Sequence, residues 1–188
     1  MKFTRRVGEI QSQERMSDSG ELVNVRCSAL VFRGDSVLLC RRSEDEDTWV
    51  LPGGTPRLGE GTAAASEREV LEETGISITA DQVAFVLETT SRDVSHHLIE
   101  IVFLGREQHS SCGPQQSEPS LVPEFVPLDD LRDIGLRPPI AGYVRGFATY
   151  QMSASVVRGS HTAAYLGNLW RATDADHLLS RAARNTID

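Results

Sequence analysis

The chain has 188 residues, of which 39% are hydrophobic and 24% charged, and these proportions are typical of one ordinary globular domain with appendages. Its formal net charge of −8 argues against broad binding to nucleic acids, because neutralising a phosphate backbone needs a basic surface. The same charge does not exclude a phosphorylated small molecule, since bound cations can supply positive charge locally.

Lysine and cysteine usage narrows the chemistry further. Lys2 is the only lysine among 19 basic residues, which argues against Schiff-base and lysine-dependent kinase chemistry. The three cysteines are widely spaced, so we expect reduced thiols rather than disulfides or a zinc site. No run approaches about 18 apolar residues, and the start of the chain lacks the apolar core of a signal peptide. We therefore expect a cytoplasmic protein that does not bind membranes.

The predicted elements begin after a polar segment, residues 1–21, which is interpreted as a flexible N-terminal arm. A β-hairpin follows, with strands predicted at 22–32 and 36–42. A charged loop and a short strand at 49–51 then lead into a turn at Gly53-Gly54.

A helix predicted at 62–74, with Gly75 as its C-terminal stop, carries the most informative residues. At 100° per residue, three glutamates lie within an arc of about 100°: Glu69, Glu72 and Glu73. The opposite arc is expected to face the core, and it carries Ala63, Ala64, Val70, Leu71 and Thr74. Glu67 falls on that apolar arc without an explanation from helical periodicity.

The clustered glutamates favour a bound cation. Like charges at this spacing cost an isolated helix about 0.2–0.5 kcal/mol per pair, and Arg68 offsets only part of that cost. A hard divalent cation would remove the repulsion and suits an all-oxygen ligand set. The alternative is a solvated acidic face without a ligand.

Two strands are predicted next, at 82–90 and 97–104, followed by a loop at 107–119. A short strand at 124–128 and a helical turn from Asp129 come after the loop. The last element of the domain is a helix that begins at Pro138-Pro139 and ends at Tyr150. Strands that flank a central helix, followed by a terminal helix, indicate an α/β layered domain over residues 22–150. Residues 151–188 form a C-terminal extension, with a segment at 166–170 that packs back and a last helix at 173–183. Whether this extension covers the domain, contacts a partner subunit or stays loose is open.

One familiar phosphate-binding motif is excluded. Gly54 and Gly59 have the spacing of a P-loop, but Glu60 stands where that loop requires a lysine. A carboxylate at this position would repel phosphates.

The segment from Gly54 to Ile76 resembles the signature of the Nudix hydrolases instead. That signature is Gly, five residues, Glu, seven residues, then Arg-Glu-aliphatic-x-Glu-Glu-x-Gly-aliphatic. All of its fixed positions are filled, by Gly54, Glu60, Arg68, Glu69, Val70, Glu72, Glu73, Gly75 and Ile76. The preceding Trp49 to Gly53 is also similar to the family's usual lead-in.

The resemblance implies a Nudix-type α/β/α sandwich with a mixed β-sheet. It implies metal-dependent hydrolysis, by attack of water at phosphorus, of a pyrophosphate bond in a nucleoside diphosphate linked to a group X. The product is a nucleoside monophosphate. Nucleotide sugars, ADP-ribose-like compounds and modified nucleoside triphosphates are the candidate substrates, and Mg²⁺ or Mn²⁺ is the expected cofactor.

The same resemblance assigns roles to the motif residues. Glu69, Glu72 and Glu73 are the expected metal ligands, with a further ligand from the backbone carbonyl near Gly54. Glu72, Glu73 and Arg68 also count among the catalytic candidates. Arg68 is expected to orient the carboxylates.

Other candidates lie outside this set. The general base is a motif glutamate or Glu118 in the later loop, with Glu100 on a strand as the alternative. Arg42 and Glu60 are candidates for substrate binding: Arg42 for a phosphate or base, and Glu60 either from behind the metal ligands or as a cap of the helix N-terminus.

The substrate subclass stays open at this level. The proline that often marks ADP-ribose pyrophosphatases is missing near residues 89–92. A non-catalytic nucleotide-sensing domain with a regulatory role is the alternative function, although none of the catalytic carboxylates is degraded. A nucleotide small molecule is the expected partner, and a homodimer is also open.

Overall fold

Two helices enclose a mixed β-sheet in the computed structural model, which describes residues 23–90, 97–108, 113–154 and 163–169. The strands are β1 (Val23–Arg33), β2 (Ser36–Arg42), β3 (Thr48–Val50), β4 (Gly53–Gly54), β5 (Ile78–Thr90), β6 (His97–Glu107), β7 (Leu121–Pro127), β8 (Gly135–Arg137) and β9 (Ala164–Asn168). The helices are α1 (Thr62–Thr74), α2 (Ala141–Ala154) and a 3-10 turn at Asp130–Arg132.

The sheet has two parts, which the β1–β2 hairpin joins. In the first part, β6 runs parallel to β1 and antiparallel to β5. Strand β4 pairs with β1, and β9 runs parallel to β5. In the second part, β2 lies between β3 and β7 and is antiparallel to both, and β8 is parallel to β3. The mixed strand directions agree with the predicted fold class.

The period of two along each strand divides the buried side chains between two cores. One core lies under α1 and includes Ala29, Val31, Leu38 and Val70. The other lies under α2 and includes Leu30, Leu39, Ile140 and Val144. The helices therefore cover opposite faces of the sheet, and the predicted α/β/α sandwich is confirmed.

Helix α1 begins and ends where the sequence predicts, but the side that it buries is different. Leu71 was expected in the core and is 47% exposed. Glu73 was expected on a separate carboxylate side and is buried against the sheet. Glu67 lies where the backbone N–H of Ala80, at the start of β5, donates to its Oε1 over 2.7 Å. The face of α1 that packs on the sheet therefore differs from the predicted one: it includes Glu73 and leaves out Leu71.

Several later elements are longer than predicted. Strand β5 begins four residues earlier, at Ile78, and β7 begins at Leu121. Helix α2 runs on to Ala154. Part of the C-terminal extension lies against the domain, because β9 pairs with β5 and the buried Leu169 donates its backbone N–H to Glu88 O over 2.9 Å.

Two predicted segments, the arm at 1–21 and the helix at 173–183, lie outside the described residues. Neither α1 nor α2, the helices of the described part, has the length and apolar character needed to cross a membrane.

Candidate active site

The turn predicted at Gly53-Gly54 instead forms the two-residue strand β4, which lies directly on strand β1. A Cβ atom at Gly53 would lie 2.4 Å from the carbonyl oxygen of Cys27 and 2.5 Å from Ser28 Cα. Only glycine allows so close an approach of two backbones. The turn is thereby held at the edge of the sheet, next to the C-terminal half of α1.

Gly54 makes room for a carboxylate. A Cβ atom at this position would lie 2.4 to 2.5 Å from the carboxyl atoms of Glu69. The missing side chain therefore forms a cradle that the Glu69 carboxylate fills. Sequence reasoning connected these two residues only through the motif, whereas the structure places them in direct contact.

Glu73 is the buried acid of the site. Its side chain reaches back to the turn, where the backbone N–H of Gly53 donates to Oε2 over 2.9 Å. Burial raises the pKa of Glu73 to about 7, and the negative charges of Glu69 and Glu118 act in the same direction. The Gly53 hydrogen bond and the charge of Arg26 oppose this shift.

Arg68 holds three carboxylates together. Its Nε and Nη2 donate to the two oxygens of Glu60, each over 2.8 Å. Its Nη1 donates to Glu69 Oε1 over 2.7 Å and to Glu72 Oε2 over 3.0 Å. Arg57 takes the other oxygen of Glu72 over 3.1 Å.

Glu60 does not cap the helix. The N-cap of α1 is Gly61, which has no side-chain capping bond. The hydrogen bonds from Arg68, and then from the backbone of Arg57, lower the pKa of Glu60 to about 2. Of the two roles left open for Glu60, the geometry therefore favours support of the metal ligands through Arg68.

The donor set suits a hard divalent cation, although its carboxylates are not gathered into a finished cage. Across the described ranges, no three His, Cys, Asp or Glu side chains form a metal-holding group by themselves. Glu69 and Glu73 converge on the turn, where burial first, and the charge of Glu69 to a smaller extent, raises the pKa of Glu73. Glu72, by contrast, is turned toward the two arginines. All the oxygens here are of the kind that Mg²⁺ and Mn²⁺ prefer, so the residues fit such an ion.

A cavity of about 220 Å³ opens beside Glu73. Glu118, the loop candidate for the general base, lines the same cavity and accepts a 2.8 Å hydrogen bond from Ser120 Oγ. Arg42 also lines it, at the end of β2. Arg42 and Glu118, two candidates from outside the motif, therefore line the same cavity as Glu73 of the motif.

A second cavity, of about 320 Å³, adjoins the first and shares Arg26, Arg42 and Val50 with it. Glu100, the alternative general base, lines this second cavity and not that of Glu73. It is buried, and Ser28 Oγ donates to its Oε1 over 2.6 Å. Burial raises the pKa of Glu100, against the opposing effects of Arg26 and Ser28.

Sequence reasoning missed Arg26 and Ser28. The sequence feature that could have indicated them is the polar residue at every second position at the start of β1. In the structure, Arg26 of β1 pairs in register with Glu100 of β6. A period of two puts these side chains on one face of the sheet, and only the register brings them to Glu100.

Comparisons with known proteins agree with this arrangement. Residues 23–147, well over half of the chain, match the NUDIX domain family. A MutT-like protein of Streptomyces ambofaciens is 39% identical over 83 residues, which are 44% of this chain and 54% of that protein. An ADP-ribose pyrophosphatase of Methanocaldococcus jannaschii is 30% identical over 82 residues, which are 43% of this chain and 48% of that protein. The chain thus spans about half the length of these two relatives. The crystal structure of a MutT NUDIX hydrolase from Burkholderia pseudomallei has a TM-score of 0.51 and 28% identity, over 58% of this chain and 86% of that one.

Proposed function

The chain belongs to the NUDIX family, and we propose that it hydrolyses a pyrophosphate bond in a nucleoside diphosphate linked to a group X. The products are a nucleoside monophosphate and the phosphate of X. The observation that carries this proposal is the convergence of Glu69 and the buried Glu73 on the Gly53-Gly54 turn, at the wall of a cavity.

The residues proposed to hold Mg²⁺ or Mn²⁺ are Glu69, Glu72 and Glu73, with the backbone carbonyl of Gly54. A divalent ion held by these residues would neutralise charge at the diphosphate and would make water a better nucleophile. Arg68 keeps the carboxylates of Glu69 and Glu72 in place through its hydrogen bonds.

Glu118 is proposed as the general base. It faces the cavity of Glu73 from the loop before β7, and Ser120 holds one of its oxygens. In the proposed step, water oxygen bonds to phosphorus, the bridging P–O bond breaks, and the carboxylate of Glu118 takes the proton of the water. Arg42 is proposed to contact a phosphate of the substrate, and this role is supported by its position in the lining of both cavities.

The test is a hydrolysis assay with the full chain, Mg²⁺ or Mn²⁺, and a panel of nucleotide sugars, ADP-ribose-like compounds and modified nucleoside triphosphates. We expect at least one of them to release a nucleoside monophosphate, identified by chromatography. Binding of nucleotides without turnover of any compound would contradict the proposal and favour the nucleotide-sensing alternative.

The cytoplasmic location, the homodimer and the division of the chain into segments at residues 21 and 150 stay predictions.

A further inference from the structure

The second cavity has features that the hydrolytic step does not use. Its volume of about 320 Å³ falls in the range of about 300–1,000 Å³ that small-molecule sites occupy. Its apolar lining consists of Val50, Leu51, Leu98 and Pro138. Three arginines, Arg26, Arg42 and Arg137, line the same cavity, so it suits a ligand that joins a flat, largely apolar group to phosphates.

Glu100 is the buried acidic group of this cavity. Its exposed fraction is 3%, and one of its oxygens, Oε1, accepts from Ser28 Oγ at 2.6 Å and lies 3.6 Å from Arg26 Nε. No described residue donates a hydrogen bond to the other oxygen, Oε2. Every fully enclosed side-chain oxygen of the described residues has a hydrogen-bond partner. Because Oε2 has none, it is not fully enclosed, and we infer that it is accessible from the cavity that Glu100 lines. A carboxylate oxygen that faces a cavity without a protein donor can accept a hydrogen bond from a ligand that displaces water there.

The position of the cavity identifies which part of a substrate enters it. Arg26, Arg42 and Val50 form its boundary with the cavity of Glu73. A nucleotide whose diphosphate lies beside Glu73 therefore extends past Arg42 into the apolar walls around Glu100. The nucleobase is the flat group of such a molecule.

We propose that Glu100 is a specificity-determining residue, whose Oε2 accepts a hydrogen bond from the exocyclic amino group of the nucleobase. This inference rests on the proposed function and assigns its substrate class: nucleotides with an amino-bearing base such as adenine or cytosine. A keto oxygen at the same place, as in hypoxanthine or uracil, would face the carboxylate with its lone pairs. The expected discrimination is about 10- to 100-fold, as for the loss of a single hydrogen bond to a charged group.

Ser28 is the positioning residue for this contact. Its hydroxyl group fixes Oε1 and so turns Oε2 toward the cavity. Removing the hydroxyl leaves the carboxylate free to rotate, which weakens the preference without removing the charge.

The experiment measures binding and does not depend on turnover. The full chain with Mg²⁺ is titrated by calorimetry with two matched pairs, ADP with IDP and CDP with UDP. We expect the amino-bearing member of each pair to bind more tightly by about 10- to 100-fold. In the isosteric variant E100Q, the side-chain amide can both donate and accept, so the two members of each pair should bind alike. S28A should reduce the ratio, and E124Q, on the exposed face of β7, should keep it.

Three results would overturn the inference: wild-type protein that binds both members of each pair equally, wild-type protein that binds none of them, or an E100Q variant that weakens all four equally. The last result would indicate contact with a sugar hydroxyl. If E100Q does not fold, as judged by circular dichroism, the wild-type ratio and S28A still decide. A retained base preference without hydrolysis would refute the proposed function alone, and hydrolysis without base preference would refute this inference alone.

Discussion

The buried carboxylate of Glu73 is hydrogen-bonded to the backbone N–H of Gly53, 20 residues earlier in the chain, over 2.9 Å. This bond ties the C-terminal half of α1 to the turn that follows β3. The acid of the site and the backbone that lines it therefore move together, which fixes the geometry before any ligand binds.

Replacing Glu73 by glutamine should lower the rate of hydrolysis by about 100-fold or more. The amide keeps the shape and the Gly53 contact but removes the charge that holds the cation, and metal catalysis supplies several kcal/mol, with a factor of ten for each 1.36 kcal/mol. The measurement is nucleoside monophosphate release at saturating Mg²⁺. The control is E124Q, a glutamate-to-glutamine change at an exposed position of β7. Equal rates in E73Q and E124Q would refute the role of Glu73.

The stability of the metal-free protein should fall as the pH rises from about 4.5 to about 7. The pKa of Glu73 is raised from 4.5 to about 7 by burial, so in this window the folded state binds more protons than the unfolded chain. The stabilisation from the protonated acid is complete below the lower value and is lost as the pH passes the upper one. At most it amounts to about 3 kcal/mol.

Urea unfolding in EDTA at several pH values measures this effect. The contribution of Glu73 is the part of the slope that disappears in E73Q, because glutamine does not titrate. Mg²⁺ added at the alkaline end should restore stability, by about 2.7 kcal/mol at 100 times its dissociation constant. A slope that is the same in both proteins would show that the buried acid does not titrate in this range.

A single methyl group at Gly54 should separate activity from stability. In G54A the new Cβ would lie 2.4 to 2.5 Å from the Glu69 carboxyl group, the mobile end of a side chain that can swing away. We expect a loss of Mg²⁺-dependent activity with a change in unfolding free energy of only about 1 kcal/mol. The measurements are the hydrolysis rate and the denaturant midpoint.

G61A is the matched control for this variant. Gly61 has a φ of −69°, and a Cβ atom there meets nothing within 4 Å. Activity should remain near wild type, and replacing the glycine N-cap by alanine should cost at most about 1 kcal/mol of stability. If G54A retains full activity, Glu69 does not need the cradle that Gly54 provides.

Replacing Arg68 by lysine should raise the Mg²⁺ concentration needed for half-maximal activity by about 10-fold. Lysine keeps the charge but cannot bond Glu60, Glu69 and Glu72 at once, and each hydrogen bond to a charged group is worth about 1.5–3 kcal/mol. The measurement is a metal-activation curve. R106K serves as the control, because Arg106 is an exposed arginine of β6 whose one ion-pair partner among the described residues is Asp81. A common shift in both variants would indicate a general effect of arginine loss.

The sequence predicts the elements that rest on local patterns. The bounds of α1 follow from its apolar spacing and from Gly75, whose φ of +70° ends the helix with a bond to Leu71 O. The hairpin of β1 and β2 follows from two apolar runs around a short turn. The motif glutamates likewise share a helix face because helical geometry requires it.

The remaining features depend on which strands become neighbours. Glu67 has a partner only because β5 begins beside α1, so helical periodicity alone could not explain it. The exposure of Leu71 has the same origin, since the sheet meets a different arc of the helix. The contact of Ser28 with Glu100 requires the parallel register of β1 and β6, which no local pattern fixes.

Strand β1 also constrains how substrate choice can be redesigned. Ser28 lies within van der Waals reach of a Gly53 that tolerates no added atom, and its hydroxyl group holds Glu100. Engineering of the base pocket through this strand would therefore disturb the hydrolytic turn. A mutant library aimed at new nucleotides should instead vary lining residues outside β1, at Thr89, Thr90, Leu98 and Pro138, which line the second cavity and not that of Glu73.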